Sequence, residues 1–290
     1  MKNLWKIYQG CLLSNCPPHH TFEVDVNEVL KLLAHNNCYF ARWTSDFDCG
    51  YKTEWWYCVK DAPIDLVKLT AKQRYRIKRG QKLNIINKVI VNTGTGQSIN
   101  EDIDSLLDNL LEIQKDSFKT YPLKYRPQTD KTSFREEMKC LYKDSDLWIS
   151  RDKETNEINA YAIIRKELDF AWLKVVKVSP KYINNDVNAI IVYEIVNHYL
   201  GEEHFKYICD GERNIRHQTN YQDFLVKNLN FRYAYCKLHI LYGTFMKNAI
   251  KILFPIRGII YKIGEYNKTI YNVACLLKQH EYYLSFLSHK

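Results

Sequence analysis

The 290-residue chain is short of the residues that interrupt regular structure: 10 Gly and 7 Pro stand against 22 Tyr. With 46% apolar and 26% charged residues, this excludes a low-complexity or disordered protein. It also lacks any run of about 18 apolar residues, the pattern of a membrane-crossing helix. Residues 1–9 hold neither a long apolar stretch nor a small-residue cleavage site, so no secretory signal is expected and the cytoplasm is the expected address. A disulfide framework is missing too. The nine cysteines, from Cys11 to Cys275, are odd in number and scattered, several inside apolar runs, and read as free thiols in a reducing compartment. Acid is the scarcer charge, 33 residues against 42 basic ones, for a net charge of +9. That balance favours an anionic partner: nucleic acid, a phosphorylated cofactor or a membrane surface.

What is present is periodicity. Residues 1–20 read as an irregular lead-in ending in Pro17-Pro18-His19-His20. Val26, Val29, Leu30, Leu32 and Leu33 recur at helical spacing within 24–34. Residues 38–43 and 53–60 read as strands, 66–80 as a helix stopped by Gly80, and 83–91 as a strand. Ser98 and Glu101 have the capping-box spacing and open a helix whose apolar face runs through Leu106 and Leu110. A further helix is expected over 132–142.

From residue 147 the pattern changes. Strands are expected at 147–150, 158–165 and 170–178, a helix at 187–200 capped by Asn185 or Asp186, a strand at 205–209, a helix at 218–229 and a strand at 231–241. Alternation of this kind implies an α/β sheet containing parallel pairs covered by helices. In the tail Lys247, Lys251, Arg257, Lys262 and Lys268 punctuate an isoleucine-rich stretch, and Pro255 and Gly258 divide it into two short helices. The expected division is 1–20, 21–145, 146–243 and 244–290.

The element order over 147–241 resembles the core of the GNAT superfamily of acyl-CoA N-acyltransferases. Phe224-Leu225-Val226-Lys227-Asn228-Leu229-Asn230-Phe231-Arg232 is similar to the helix-turn that ends many such domains. Asn230 stands at the family's usual glycine, and Asn is the next best residue for positive φ. The stretch Leu69-Thr70-Ala71-Lys72-Gln73-Arg74-Tyr75-Arg76-Ile77-Lys78-Arg79-Gly80 resembles the basic helix of Fem-type transferases, in which two GNAT-like units sit in tandem. The resemblance covers most of 40–241. It implies a mixed α/β (α+β) sheet flanked by helices, with two tandem GNAT-like units as the fuller version. It also implies an enzyme that moves an acyl group from a thioester such as acetyl-CoA to an amine of a sugar or cell-envelope precursor. The Fem-type version implies aminoacyl-tRNA as donor.

Two departures from the family pattern stand out. The pyrophosphate loop of the family is glycine-rich, and its N–H groups and helix dipole hold the phosphates. Here Ser179-Pro180-Lys181-Tyr182-Ile183-Asn184-Asn185-Asp186 has no glycine, and Asp186 can cap the following helix without a ligand. Lys181, Asn184 and Asn185 are what this stretch offers a phosphorylated donor. The tyrosine that serves many relatives as general acid falls at Val226, with Tyr221 and Tyr193 nearby.

The chemistry expected of the remaining motifs follows from residue type. Lys72, Arg74, Arg76, Lys78, Arg79 and Lys82 form a basic run without an acid, and Lys72, Arg76 and Arg79 share one helical face that Lys68 extends. Guanidinium forks fit phosphate oxygens, so Lys72, Arg76 and Arg79 are candidate donor-binding residues. Asp210-Gly211-Glu212-Arg213-Asn214 follows a strand, where sites in open α/β sheets gather. Glu212 or Asp210 is the candidate general base for an attacking amine, and His217 a further one. Backbone N–H groups would polarise the carbonyl.

Other signals are weaker. Thr93-Gly94-Thr95-Gly96 lacks a full phosphate-loop pattern. Cys11 and Cys16 with His19 and His20 match no common zinc spacing, so no metal is expected. Glu54-Trp55-Trp56-Tyr57 reads as a strand in an aromatic core, with stacking on a ring or nucleobase as the alternative. The basic-apolar stretch 247–268 either packs on the domain or meets an anionic membrane peripherally. A non-catalytic module that holds an anionic polymer or lipid headgroup is the alternative of another class.

Overall fold

A computed structural model describes residues 4–89, 103–121, 126–141, 144–215 and 220–287. In chain order the strands are β1 Trp5–Tyr8, β2 Cys11–Ser14, β3 Phe40–Ser45, β4 Trp55–Lys60, β5 Asn84–Val89, β6 Ser145–Asp152, β7 Ile158–Lys166, β8 Phe170–Val178, β9 Tyr207–Glu212 and β10 Arg232–Tyr242. The α-helices are α1 Val26–His35, α2 Ala71–Leu83, α3 Ile103–Lys119, α4 Lys131–Leu141, α5 Val187–Asn197, α6 Tyr221–Leu229, α7 Thr244–Leu253, α8 Arg257–Gly264 and α9 Lys268–Leu287. The chain forms two compact units: Met1–Tyr57, Glu212–Thr219 and Tyr233–Lys290 in the first, Cys58–Gly211 and Asn220–Arg232 in the second.

In the second unit β5, β6, β7 and β8 pair antiparallel in that order, and β9 adds to β8 in parallel. Alternate strand residues point to opposite faces. Leu147, Ile149, Tyr161 and Ile163 face α3 and α4, whose Leu106, Leu107, Leu110, Phe134 and Met138 complete one core. On the other side α5 lies against β5 to β8 and against α2 and α6. Its Val187, Ala189, Ile190, Ile191, Val192, Ile195 and Val196 are all buried, and a helix apolar all round is one enclosed on several sides.

Helix α2 starts later and ends later than its sequence pattern suggests. Residues 66–68 form a separate 3-10 turn, and Thr70 then caps α2 through a capping box with Gln73. Gly80 does not stop the helix. It lies within it, and a Cβ there would meet the Ile190 Cβ at 2.7 Å and the Asp186 carbonyl oxygen at 3.2 Å. The glycine therefore lets α2 approach α5 closely, a contact invisible in local sequence. Asn84 ends the helix, its side-chain amide donating to the Gly80 carbonyl at 2.9 Å. The expected α5 also shortens, giving way to a π-helical turn at His198–Glu202.

The first unit corrects the expected lead-in. Residues 5–14 form a hairpin, β1 with β2, turned by Gln9 (φ 49°) and Gly10 (φ 74°). Both turn residues have positive φ, which matches strand twist, but Gln-Gly is a poor signal beside Asn-Gly. Strand β2 runs parallel to β3, and β3 pairs antiparallel with β10. Helix α1 buries Val29 and Leu33 against Leu12 and Ala41. The two short helices expected of the tail are α7 and α8, and α9 follows them, with Ile250, Ile260, Ala274 and Leu277 as their common core. No helix among the described residues is long and apolar enough to cross a membrane. The expected start of α3 at Ser98 and Glu101 and the turn at Thr93–Gly96 lie outside the described residues.

Candidate active site

In the second unit, β8 and β9 pair only from Phe170/Tyr207 to Trp172/Cys209. Strand β8 continues to Val178 beside β7, so the pairing with β9 ends while both strands go on. Asp210 is the first residue past the last pair. Burial pushes its carboxyl up to about 7, and a hydrogen bond with Gln222 only partly opposes this. Among the described residues no cation lowers it.

Two further groups share Asp210's surroundings. The Tyr221 hydroxyl, at the start of α6, is buried without a hydrogen-bond partner among the described residues. Burial raises its pKa, and so do the neighbouring Asp210 and Cys58. The Cys58 thiol of β4 is raised likewise, by burial first and then by Asp210 and Asp223. A carboxyl that titrates near neutrality can take and return a proton, and an unsatisfied hydroxyl beside it wants an acceptor.

The candidate donor-binding residues divide. Asp186 sits at the start of α5 with φ 53°, in the left-handed region that Asp tolerates better than most residues. Its carboxylate does not cap the helix. It meets Arg79 Nη1 at 3.2 Å and Arg76 Nε at 3.9 Å, while Arg76 Nη1 donates to Asn228 Oδ1 at 3.0 Å. The basic run thus gains the acid its own sequence lacks. Lys72 stays exposed on the same helix.

Lys181 points elsewhere: its ammonium meets Glu157 Oε2 at 2.6 Å, and that acid raises its pKa. Asn184 is exposed, and the Asn185 carbonyl accepts from Asn84 Nδ2 at 3.3 Å. A cleft of about 310 Å³ lies beside Ser179, Pro180 and Lys181, lined also by Asp116, Lys119 and Thr120. Lys119 there meets Asp116 at 2.6 Å.

In the first unit Glu212 has both carboxylate oxygens engaged. One pairs with Arg42, and the other accepts from Trp55 Nε1 at 3.2 Å. The Arg42 guanidinium lies 5.3 Å from the centre of the Trp55 ring. Arg213 is bound apart from Glu212, to Glu54 Oε2 at 2.8 Å and between the rings of Trp56 and Tyr282 at 4.2 and 3.9 Å. His217 lies outside the described residues. Among the described residues no group of three His, Cys, Asp or Glu side chains is placed to hold a metal.

Sequence reasoning missed Arg42, Gln222 and Cys58. Nothing local marks them, since the partner of Arg42 lies 170 residues away and Gln222 and Cys58 meet Asp210 from other elements. Tyr221 was visible only as a tyrosine near the place of a general acid.

No family model matches the chain, and no curated protein matches it either. Solved structures do. The fold is similar to FemX at a TM-score of 0.54 and 8% identity, over 79% of this chain and 81% of that one. It is similar also to the C-terminal DUF2156 domain of an Agrobacterium fabrum protein assigned as a lysylphosphatidylglycerol synthetase, at 0.51 and 11%, over 85% and 82%. A GCN5-related N-acetyltransferase from Kribbella flavida aligns at 0.42 and 8%, over 81% of each chain. The chain has a GNAT-like fold, a mixed sheet flanked by helices. Among the structures that share this arrangement, FemX gives the likeness of the Fem type.

Proposed function

We propose that the chain transfers an aminoacyl group from the terminal ester of an aminoacyl-tRNA to an amine of a cell-envelope precursor. The observation that carries this reading is the carboxylate of Asp186 at the start of α5, 3.2 Å from Arg79. A helix N-terminus there would suit the pyrophosphate of a coenzyme A thioester. A fixed carboxylate in its place repels such a group. One acid against Arg76 and Arg79 still leaves α2 basic along Lys72, Lys78 and Lys82, which fits an extended polyanion. Of the solved folds named above, FemX is of the Fem type, in line with this choice.

The chemistry assigned to the place where the β8–β9 pairing ends is direct attack. The acceptor amine adds to the ester carbonyl, and the Asp210 carboxylate takes the proton released from its nitrogen. The tetrahedral intermediate collapses, and the bond to the terminal ribose oxygen breaks. That oxygen leaves with a proton from Asp210 or from the Tyr221 hydroxyl. A base near neutrality supplies roughly 100- to 10,000-fold of rate. Glu212, held by Arg42 and Trp55, serves the fold of its own unit in this scheme.

The test is a melting-temperature panel of acetyl-CoA, uncharged tRNA and aminoacyl-tRNA. Stabilisation by the two tRNA species and not by acetyl-CoA is expected. Saturable stabilisation by acetyl-CoA alone would restore the thioester reading, with Lys181, Asn184 and Asn185 as its contacts. Binding of tRNA without any transfer would favour the non-catalytic module.

A further inference from the structure

Helices α7 and α8 of the first unit are apolar on two sides. Inward, Ile250 and Ile260 pack with Ala274 and Leu277 of α9. Outward, Phe245, Ile252, Ile256, Ile259, Ile263 and Tyr266 are exposed by 45% to 88%. Residues 245 and 252 lie two turns apart on one face of α7 and 259 and 263 one turn apart on one face of α8, with 256 in the 3-10 turn between the two helices and 266 just past α8, so the exposed apolar residues recur along the whole stretch as a ridge. Scattered exposed isoleucines need no explanation, but a ridge of six large apolar residues does. Lys247, Lys251 and Lys262 are exposed among them, and residues 244–264 contain no acid.

We propose that this ridge is a lipid-binding surface that lays α7 and α8 on a bilayer rich in anionic headgroups. Helices whose apolar side is studded with lysine match that boundary: isoleucine and aromatic rings enter below the headgroups while the ammonium groups reach up to the phosphates. Charge complementarity argues for lipid over a second copy of the chain, because two such ridges face to face would set lysine against lysine. The attachment is peripheral, since no described helix crosses a membrane. It is independent of the transfer reading, because vesicle binding needs no turnover.

The experiment is co-sedimentation of the full chain with vesicles of phosphatidylglycerol and phosphatidylcholine in equal parts, and with phosphatidylcholine alone. The chain is expected to sediment with the first, less so as salt rises, and to stay in solution with the second. Ile259→Asp with Ile263→Asp is expected to lower the affinity at least about tenfold. Lys247→Gln with Lys251→Gln is expected to lower it about thirtyfold, at about fivefold per cation near an anionic surface. All four positions are exposed, so melting temperatures are expected to hold. A wild-type chain that stays in solution with the anionic vesicles, or an aspartate pair that binds as well as wild type, overturns the proposal. So does a vesicle-free dimer that the aspartate pair splits, since a second copy would then cover the ridge.

Discussion

The two units treat their charges in opposite ways. In the second unit three cations are answered: Arg76 and Arg79 converge on Asp186, and Lys88 meets Asp146 at 2.8 Å. Its buried acid Asp210 has no cation against it among the described residues, and burial pushes its carboxyl up to about 7. In the first unit the acid is answered, Glu212 by Arg42 and Trp55, and a run of lysines on α7 and α8 faces outward among exposed isoleucines. The lesson concerns where function collects. A charge matched by a long-range partner holds a fold together, whereas one left unmatched at a desolvated or apolar place is available to a substrate or a surface.

The largest expected effect comes from removing the unmatched acid. Asp210→Asn is expected to cut transfer roughly 100- to 10,000-fold while the fold holds. The burial of Asp210 also gives stability a pH dependence of definite sign. The folded carboxyl titrates at about 7, above the roughly 3.9 of an unfolded chain, so folding favours the protonated form. Stability is therefore expected to rise as the pH falls from above 7 toward 4. Asp210→Asn is expected to remove that dependence and to stabilise the alkaline side by about 1–3 kcal/mol. Denaturant titrations across pH read this directly, and a stability profile unchanged by the substitution would break the contrast with Glu212.

Next come the matched sites. Gly80→Ala places a methyl 2.7 Å from Ile190 Cβ and is expected to destabilise by about 1–3 kcal/mol in urea, despite alanine's better helix propensity. Glu212→Gln keeps an acceptor for Trp55 but leaves Arg42 a neutral partner, with an expected loss of about 1–3 kcal/mol. Any loss of transfer in that variant should track its loss of stability. Asp186→Asn keeps a residue that tolerates φ 53° and frees both arginines, so tRNA affinity in filter binding is expected to rise about tenfold. Arg76→Glu with Arg79→Glu is expected to abolish it. The smallest effect belongs to Asn230→Ala: the residue holds φ 54° after α6, and its loss is expected to cost about 1 kcal/mol by melting temperature, with Asn230→Gly near neutral.

Much of the second unit was legible because its signals are local. The strands near 147–178 are apolar segments joined by short polar turns, the helix of 187–200 carries the apolar run Ala189–Val192, and Asn230 does take the left-handed turn that its helix-stop pattern implies. What stayed hidden depends on distance along the chain. Asp186 lies 107 residues from Arg79, so a basic run that looked free of acid is not. Gly80 reads as a stop because glycine usually is one, and only the packing of Ile190 shows otherwise. Asp210 and Glu212 read alike in sequence, two acids on one strand end. Burial beside Tyr221 and Cys58 separates the first from the second, which Arg42 holds.

Transfer of an aminoacyl group from its tRNA beside Asp210, as proposed, is open to direct measurement. The direct measurement incubates the chain with radiolabelled aminoacyl-tRNA and a cell-envelope extract, and follows the label. The account predicts that the label moves from tRNA to an amine acceptor with wild type, and stays on the tRNA with Asp210→Asn at equal tRNA affinity. Label that never leaves the tRNA with wild type, or that leaves equally well with Asp210→Asn, would contradict it.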